Sequence, residues 1–170
     1  MSRVTKTHMY FWGGIYSQWY ESTFEEGGIK YLSAEQYMMA HKAKAFGQEE
    51  VYEKVMSSNN PQAAKELGQS ITNFSDNVWD SVKTKIVTQG NYLKFLQNED
   101  LLKTLTAHKH LTLVEASPTD TVWGIGLHYD QKEVLDEALW QGKNLLGICI
   151  MRARGKILQQ LKGEKLCQKQ

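Results

Sequence analysis

The run Ser117-Pro118-Thr119-Asp120-Thr121-Val122-Trp123-Gly124-Ile125-Gly126-Leu127 constrains this chain more than any other. Pro118 fixes its own φ and biases Ser117 away from helix. Gly124 and Gly126 flank Ile125, so the backbone there can enter conformations closed to other residues, or pass close to another group. Asp120 stands three residues before Trp123, and no helical period runs through the segment, so it reads as a loop. A carboxylate beside a flat aromatic face on a glycine-bearing loop suits a nucleobase or a sugar. A structural turn with a buried tryptophan and a capping aspartate fits the same residues equally well.

The chain has 170 residues, 41% hydrophobic and 23% charged. That is enough for one core of ordinary size, and disorder is not expected. With only two prolines and no Pro/Gly/Ser linker, residues 1–170 read as a single domain, its core about 9–161 and its C-terminal tail polar. A net charge of +1 gives no global field for nucleic acid, though a local basic patch stays open. Cys149 and Cys167 make no disulfide framework and no metal-like spacing. No run approaches 18 apolar residues and no signal-peptide core is present, so a soluble, cytoplasmic protein with no membrane partner is expected.

The N-terminal part is aromatic. His8–Trp12 reads as a strand closed by Gly13-Gly14, and Tyr16, Trp19 and Tyr20 follow; some of these rings belong to a core and one or two suit a pocket. Gly27-Gly28 reads as a hairpin turn returning through Ile29–Leu32. Ser33-Ala34-Glu35-Gln36 is a capping box, opening a helix to about Phe46 with Gly47 after its end. On that helix Glu35, Met38, Met39 and Lys42 share one stripe. It places an acid and a lysine roughly 10 Å apart along the axis, where long side chains can converge on a ligand. The bland alternative is that Glu35 only complements the helix N-terminus and Lys42 only snorkels.

Further helices are expected over Gln48–Ser57, from Pro61 (capped by Asn60) to near Gly68, over about Asn77–Gln97, Asp100–Ala107 and Lys132–Trp140, and from Leu145 to about Leu161. Gly90 permits a close helix contact. Trp79, in a first helical turn, reads as core before site. Leu111–Ala116 is β-rich and leads into the loop, an order that favours a site there. Gln141-Gly142-Lys143-Asn144 is a second polar glycine turn. The class is α+β, mainly α.

Four blocks resemble one family, the NADAR or YbiA-like N-glycosidases: Tyr16-Ser17-Gln18-Trp19; Ser33-Ala34-Glu35-Gln36-Tyr37 on to Lys42; Asn77-Val78-Trp79-Asp80-Ser81-Val82-Lys83; and Asp120-Thr121-Val122-Trp123-Gly124 with Gly142-Lys143-Asn144-Leu145-Leu146-Gly147. The resemblance runs from about Met9 to Leu161. It implies a compact, mainly helical fold with a small β component, and cleavage of N-glycosidic bonds. The implied substrates are phosphoribosylamino-pyrimidine intermediates of riboflavin synthesis and ADP-ribose attached to guanine, possibly within DNA or RNA. Catalytic roles fall to Glu35, Lys42 and Asp120, and substrate binding to Trp19, Trp79, Trp123, Gly124, Lys143 and Asn144. No cofactor and no metal are implied. The chain departs from the family at Gln18-Trp19, where Asn-Phe is usual, at Gln36 for a histidine, and in lacking a proline before Ser33. Gln69 replaces an arginine, which removes a candidate phosphate ligand and leaves Lys42, Lys44 or Lys143 for that task.

The implied substrates carry ribose on an exocyclic amine, which can open to an imine. One route uses an acid to protonate the leaving base while a carboxylate stabilises developing charge or activates water, for which Glu35 and Asp120 are suited. The other uses Lys42 to intercept the opened sugar as a Schiff base. A reader of ADP-ribose or a nucleotide, without hydrolysis, is the alternative from another class. The joint presence of Glu35, Lys42 and Asp120 argues for an enzyme.

Overall fold

A computed structural model describes residues 2–167, with side chains through Glu164. The chain forms two compact units, one from residues up to Ser17 and from Glu99 on, the other Gln18–Asn98. In sequence the second is carried inside the first. The fold is α+β and mainly α, as expected. Among the described residues no helix is long and apolar enough to cross a membrane.

The first unit is built on a three-stranded sheet in the order β1-β2-β5, where β1 is Ser2–Val4, β2 His8–Phe11 and β5 Thr112–Glu115. β1 and β2 pair antiparallel, while β2 and β5 run parallel with Tyr10 opposite Val114. Parallel strands need a long crossover, and here residues 12–111 supply it. Tyr10, Val114, Ala116, Ile125, Leu127 and Val134 form one buried cluster, with Tyr129 and Trp140 packed on it. The last helix, Leu145–Cys167, buries Leu146, Cys149, Ile150, Ala153 and Ile157 at three- and four-residue spacing. Arg154 from the same helix donates to the carbonyls of His108 (2.7 Å) and Leu111 (2.9 Å), tying down the turn after the Glu99–Ala107 helix.

Two expectations are corrected here, and one strand was not foreseen. Lys132–Trp140 is not an α-helix but two short 3₁₀ turns, Lys132–Leu135 and Glu137–Leu139. Only Val134 within those turns is buried, too little apolar surface to hold a longer helix against the core. The final helix also runs past Leu161 to Cys167. Ser2–Val4, unpredicted, is a strand because it borders β2.

In the second unit, β3 (Glu21–Glu26) and β4 (Ile29–Ser33) form the expected hairpin, turning at Gly27 (φ 59°) and Gly28 (φ 83°). Both positions need the left-handed region that glycine enters without steric cost. Helix α1 (Ala34–Ala45) follows directly. It is packed by α2 (Glu49–Ser57), α3 (Pro61–Gln69) and α4 (Asp76–Gln97). Eight of its twelve residues are buried, Glu35 and Gln36 among them. The stripe of Glu35, Met38, Met39 and Lys42 therefore lies on a helix buried on several sides, not on an amphipathic one. Two glycines allow this crowding. A Cβ at Gly68 would lie 2.1 Å from Met39 Sδ, and one at Gly90 would lie 2.7 Å from Tyr37 Cδ1.

Candidate active site

Ser33 caps α1 as expected: its Oγ accepts from Gln36 N at 3.2 Å. The reciprocal half of the capping box differs. Gln36 Oε1 accepts from Leu32 N (2.8 Å), and its Nε2 donates to the carbonyls of Val55 and Ser58, both at 3.1 Å. One buried carboxamide thus joins β4, the start of α1 and the end of α2.

Glu35 is fixed by this start. Its N–H donates to Gln18 O at 2.9 Å, and the residue is 3% exposed. Two turns on, half-buried Lys42 donates from Nζ to Gly68 O at 2.9 Å, in the last turn of α3. That carbonyl end attracts a cation. The same Nζ stands 4.6 Å from the Phe74 ring centre and 5.7 Å from that of Trp79. Burial lowers the Lys42 pKa, and the negative charge of Glu35 pushes it back up. The Glu35 charge thus lies near enough to act on Lys42. Trp79 is buried, whereas Trp19 is exposed with Lys65 Nζ 5.7 Å from its ring. A cavity of about 210 Å³, lined in part by Glu21, Ser22, Ser33, Asn59 and Asn60, opens at the N-terminal ends of α1 and α3. The Glu21 carboxylate, Leu32 and Pro61 share that lining with the hydroxyls and amides, and none of the expected site residues is part of it. Gln69 is exposed at the end of α3.

In the other unit, Asp120, Trp123, Gly124, Lys143 and Asn144 belong to two laced loops. Asp120 Oδ1 accepts from Val122 N (2.9 Å) and Trp123 N (2.7 Å), holding the turn. Carbonyls of Thr121, Val122, Trp123 and Gly124 then accept from the N–H groups of Lys143, Leu145, Leu146 and Asn144. The loops approach so closely that a Cβ at Gly142 would stand 2.3 Å from Gly124 O, and one at Gly124 2.9 Å from Glu115 O. These glycines are explained by backbone crossing backbone. Asn144, buried at φ 51°, accepts from Glu115 N (2.9 Å) through Oδ1 and donates to Leu113 O (3.0 Å) through Nδ2. Its carboxamide works as an extra rung beside β5. Trp123 is half-buried and Lys143 exposed.

Lys94 was missed by reading the sequence. It is fully buried on α4, and burial brings its pKa down to about 7. The signal was present: Lys83, Val87, Gly90, Asn91 and Lys94 recur at helical spacing, and all are buried. Lys83 differs, since it pairs with the Asp80 carboxylate at the rim.

The architecture is α+β and mainly α, with an acid and a lysine on one helix enclosed by its neighbours. The chain belongs to the NADAR domain family, whose model matches residues 10–158 and so runs through both units. N-glycosidase R617 of Acanthamoeba polyphaga mimivirus is 47% identical over 145 residues, covering 82% of this chain and 85% of that protein. Protein irg-1 of Caenorhabditis elegans is 32% identical over 159 residues, covering 84% and 75%. N-glycosidase YbiA of Escherichia coli is 28% identical over 130 residues, covering 76% and 72%. The NMR structure of the E. coli protein YbiA superposes with a TM-score of 0.75 at 26% identity, covering 96% of this chain and 90% of that one.

Proposed function

We propose that this chain, an N-glycosidase of the NADAR family, hydrolyses the bond between ribose and an exocyclic base amine. Its substrates are then ADP-ribosylated guanine, free or in nucleic acid, or phosphoribosylamino-pyrimidine intermediates of riboflavin synthesis, met in the cytoplasm. Kinship with proteins named N-glycosidase supports the bond class. One observation carries the chemistry: Glu35 is buried at the capped start of α1 and its charge is felt by Lys42. A carboxyl group is the kind of side chain that serves as general acid in glycosidic cleavage.

The exocyclic nitrogen matters because its lone pair can expel the ring oxygen from C1′, opening the sugar to an imine. Glu35 is the acid that protonates the departing base amine. Lys42, anchored on Gly68 O, carries positive charge beside the acid and suits a phosphate or hydroxyl of the substrate. The deciding measurement is product release from a panel: guanine bearing ADP-ribose on its exocyclic amine, a phosphoribosylamino-pyrimidine, and adenosine. Release from either of the first two, with adenosine left intact, is expected. Rapid hydrolysis of adenosine alone refutes the substrate class.

A further inference from the structure

The turns Lys132–Leu135 and Glu137–Leu139 leave Leu135 and Leu139 each 50% exposed, while Val134 is buried. Residues 130–139 hold four acids, Asp130, Glu133, Asp136 and Glu137, against one base, Lys132, and all five are exposed. Arg3 reaches this segment but is spent on the carbonyls of Tyr129 (3.3 Å) and Gln131 (3.2 Å). Glu137 faces His8 Nε2 at 3.2 Å, and Asp130 faces His128 Nδ1 at 3.3 Å. Exposed pairs of this kind contribute little, so both carboxylates remain available. The patch is two leucines set among carboxylates.

The last helix of the same unit carries the opposite surface. Arg152, Gly155, Lys156, Gln159, Lys162 and Gly163 recur at three- and four-residue spacing, and all are exposed. Half-buried Leu158 and Leu161 border that face. Glu164 falls outside it and accepts from Gln160 Nε2 at 2.9 Å. The two glycines have no cause inside the chain. A Cβ at Gly155 or Gly163 would meet nothing within 4 Å, whereas one at Gly147 would lie 2.1 Å from Leu113 O. Glycine inside a helix weakens it relative to alanine, and here it leaves the backbone open to side chains arriving from outside.

We propose that the acidic leucine turns of one molecule dock on the basic face of the last helix of a second copy, forming a two-fold dimer in which the contact is made twice. Such a pair is closed, because each patch meets its complement on the other copy. Charge selects the occupant. Two basic faces placed together would set cations against cations. A polyanion would cover the helix but leave Leu135 and Leu139 in water. A second copy answers both surfaces. Leu135 and Leu139 enter the space over Gly155 and Gly163, beside Leu158 and Leu161, and the carboxylates of Glu133 and Glu137 meet Arg152, Lys156 and Lys162. The dimer goes beyond the N-glycosidase reading and stands apart from it, since none of these residues belongs to the site described above.

Sedimentation velocity on the whole chain is the test. The parent is expected to be dimeric at about 100 μM in about 0.05 M salt and to loosen in about 1 M salt, where exposed charges no longer feel one another beyond about 3 Å. Arg152→Glu with Lys156→Glu, and separately Glu133→Lys with Glu137→Lys, should each raise the dimer dissociation constant by about tenfold or more. Mixed in equal amounts, the two doubly altered chains should pair again, because both contacts between them are once more acid against base. All four positions are exposed, so the variants should keep the parent's circular dichroism and melting temperature. A parent that stays monomeric at this concentration overturns the proposal. So does a dimer indifferent to either pair of reversals, which lies on another surface, or a mixture that fails to pair. A monomeric parent that binds single-stranded DNA, and loses it with Arg152→Glu and Lys156→Glu, overturns the proposal in favour of a polyanion on the helix face.

Discussion

The start of α1 and the laced loops of the sheet-bearing unit look alike in sequence. Each offers an acid and an amide near an aromatic ring. In the structure they differ in what the polar atoms face. Around Asp120 and Asn144, side-chain oxygens and nitrogens answer backbone groups: Asp120 Oδ1 takes two amides and Asn144 satisfies one donor and one acceptor of β5. Around Glu35, the turn is held by the Ser33 hydroxyl, which accepts from Gln36 N, and by the Gln18 carbonyl, which accepts from Glu35 N.

The sharpest way to break this contrast is Glu35→Gln. It keeps the shape and removes the proton. Turnover should fall by about 100-fold or more with the melting temperature nearly unchanged, and parent-like turnover would remove Glu35 from the mechanism. Asn144→Ala should behave in the opposite manner. It strands Glu115 N and Leu113 O and places alanine at a positive φ, so unfolding free energy should drop by about 1–3 kcal/mol, read from denaturant titration. An unchanged midpoint with lost substrate affinity would return Asn144 to the binding site that the resemblance implied.

A smaller effect separates Lys94 from the surface lysines. Its folded pKa of about 7 lies below the unfolded value. Between pH 7 and about 10, the unfolded chain therefore binds more protons at this site, and stability contributed by Lys94 rises with pH. Measured from pH 7.5 to 9.5, the parent should gain stability relative to Lys94→Met; a flat difference would show that the amine is solvated. The smallest change expected is Ser33→Ala, which removes the cap of α1 at a cost of about 1 kcal/mol and should lower the melting point by a few degrees.

Much of this was readable from residue order because the signals are local. Ser33, Asn60 and Gly27-Gly28 act on their immediate neighbours, and each does in the structure what its type dictates. The stripe joining Glu35 to Lys42 followed from helical period alone. The misreadings share another cause, that tertiary partners decide. Leu135 and Leu139 are exposed, so apolar spacing over Lys132–Trp140 found no surface to bury against. Gln36 has a capping residue's spacing, yet it reaches across to the end of α2. Lys94 was overlooked because a charged residue on an apolar face is ordinarily read as rim, and only the packing of α4 shows it to be interior.

The parallel pairing of β2 with β5 has a consequence for how the molecule is made. During synthesis β2 leaves the ribosome long before its partner, and residues 12–111 separate the paired ends. Residues 18–98 contain every strand and helix of their own unit, so that unit can condense early through short-range contacts. The sheet must wait for β5, and its core for the helix beginning at Leu145. High sequence separation slows such closure, so refolding should show a fast helical phase followed by a slower one reported by the sheet unit's Trp123 and Trp140.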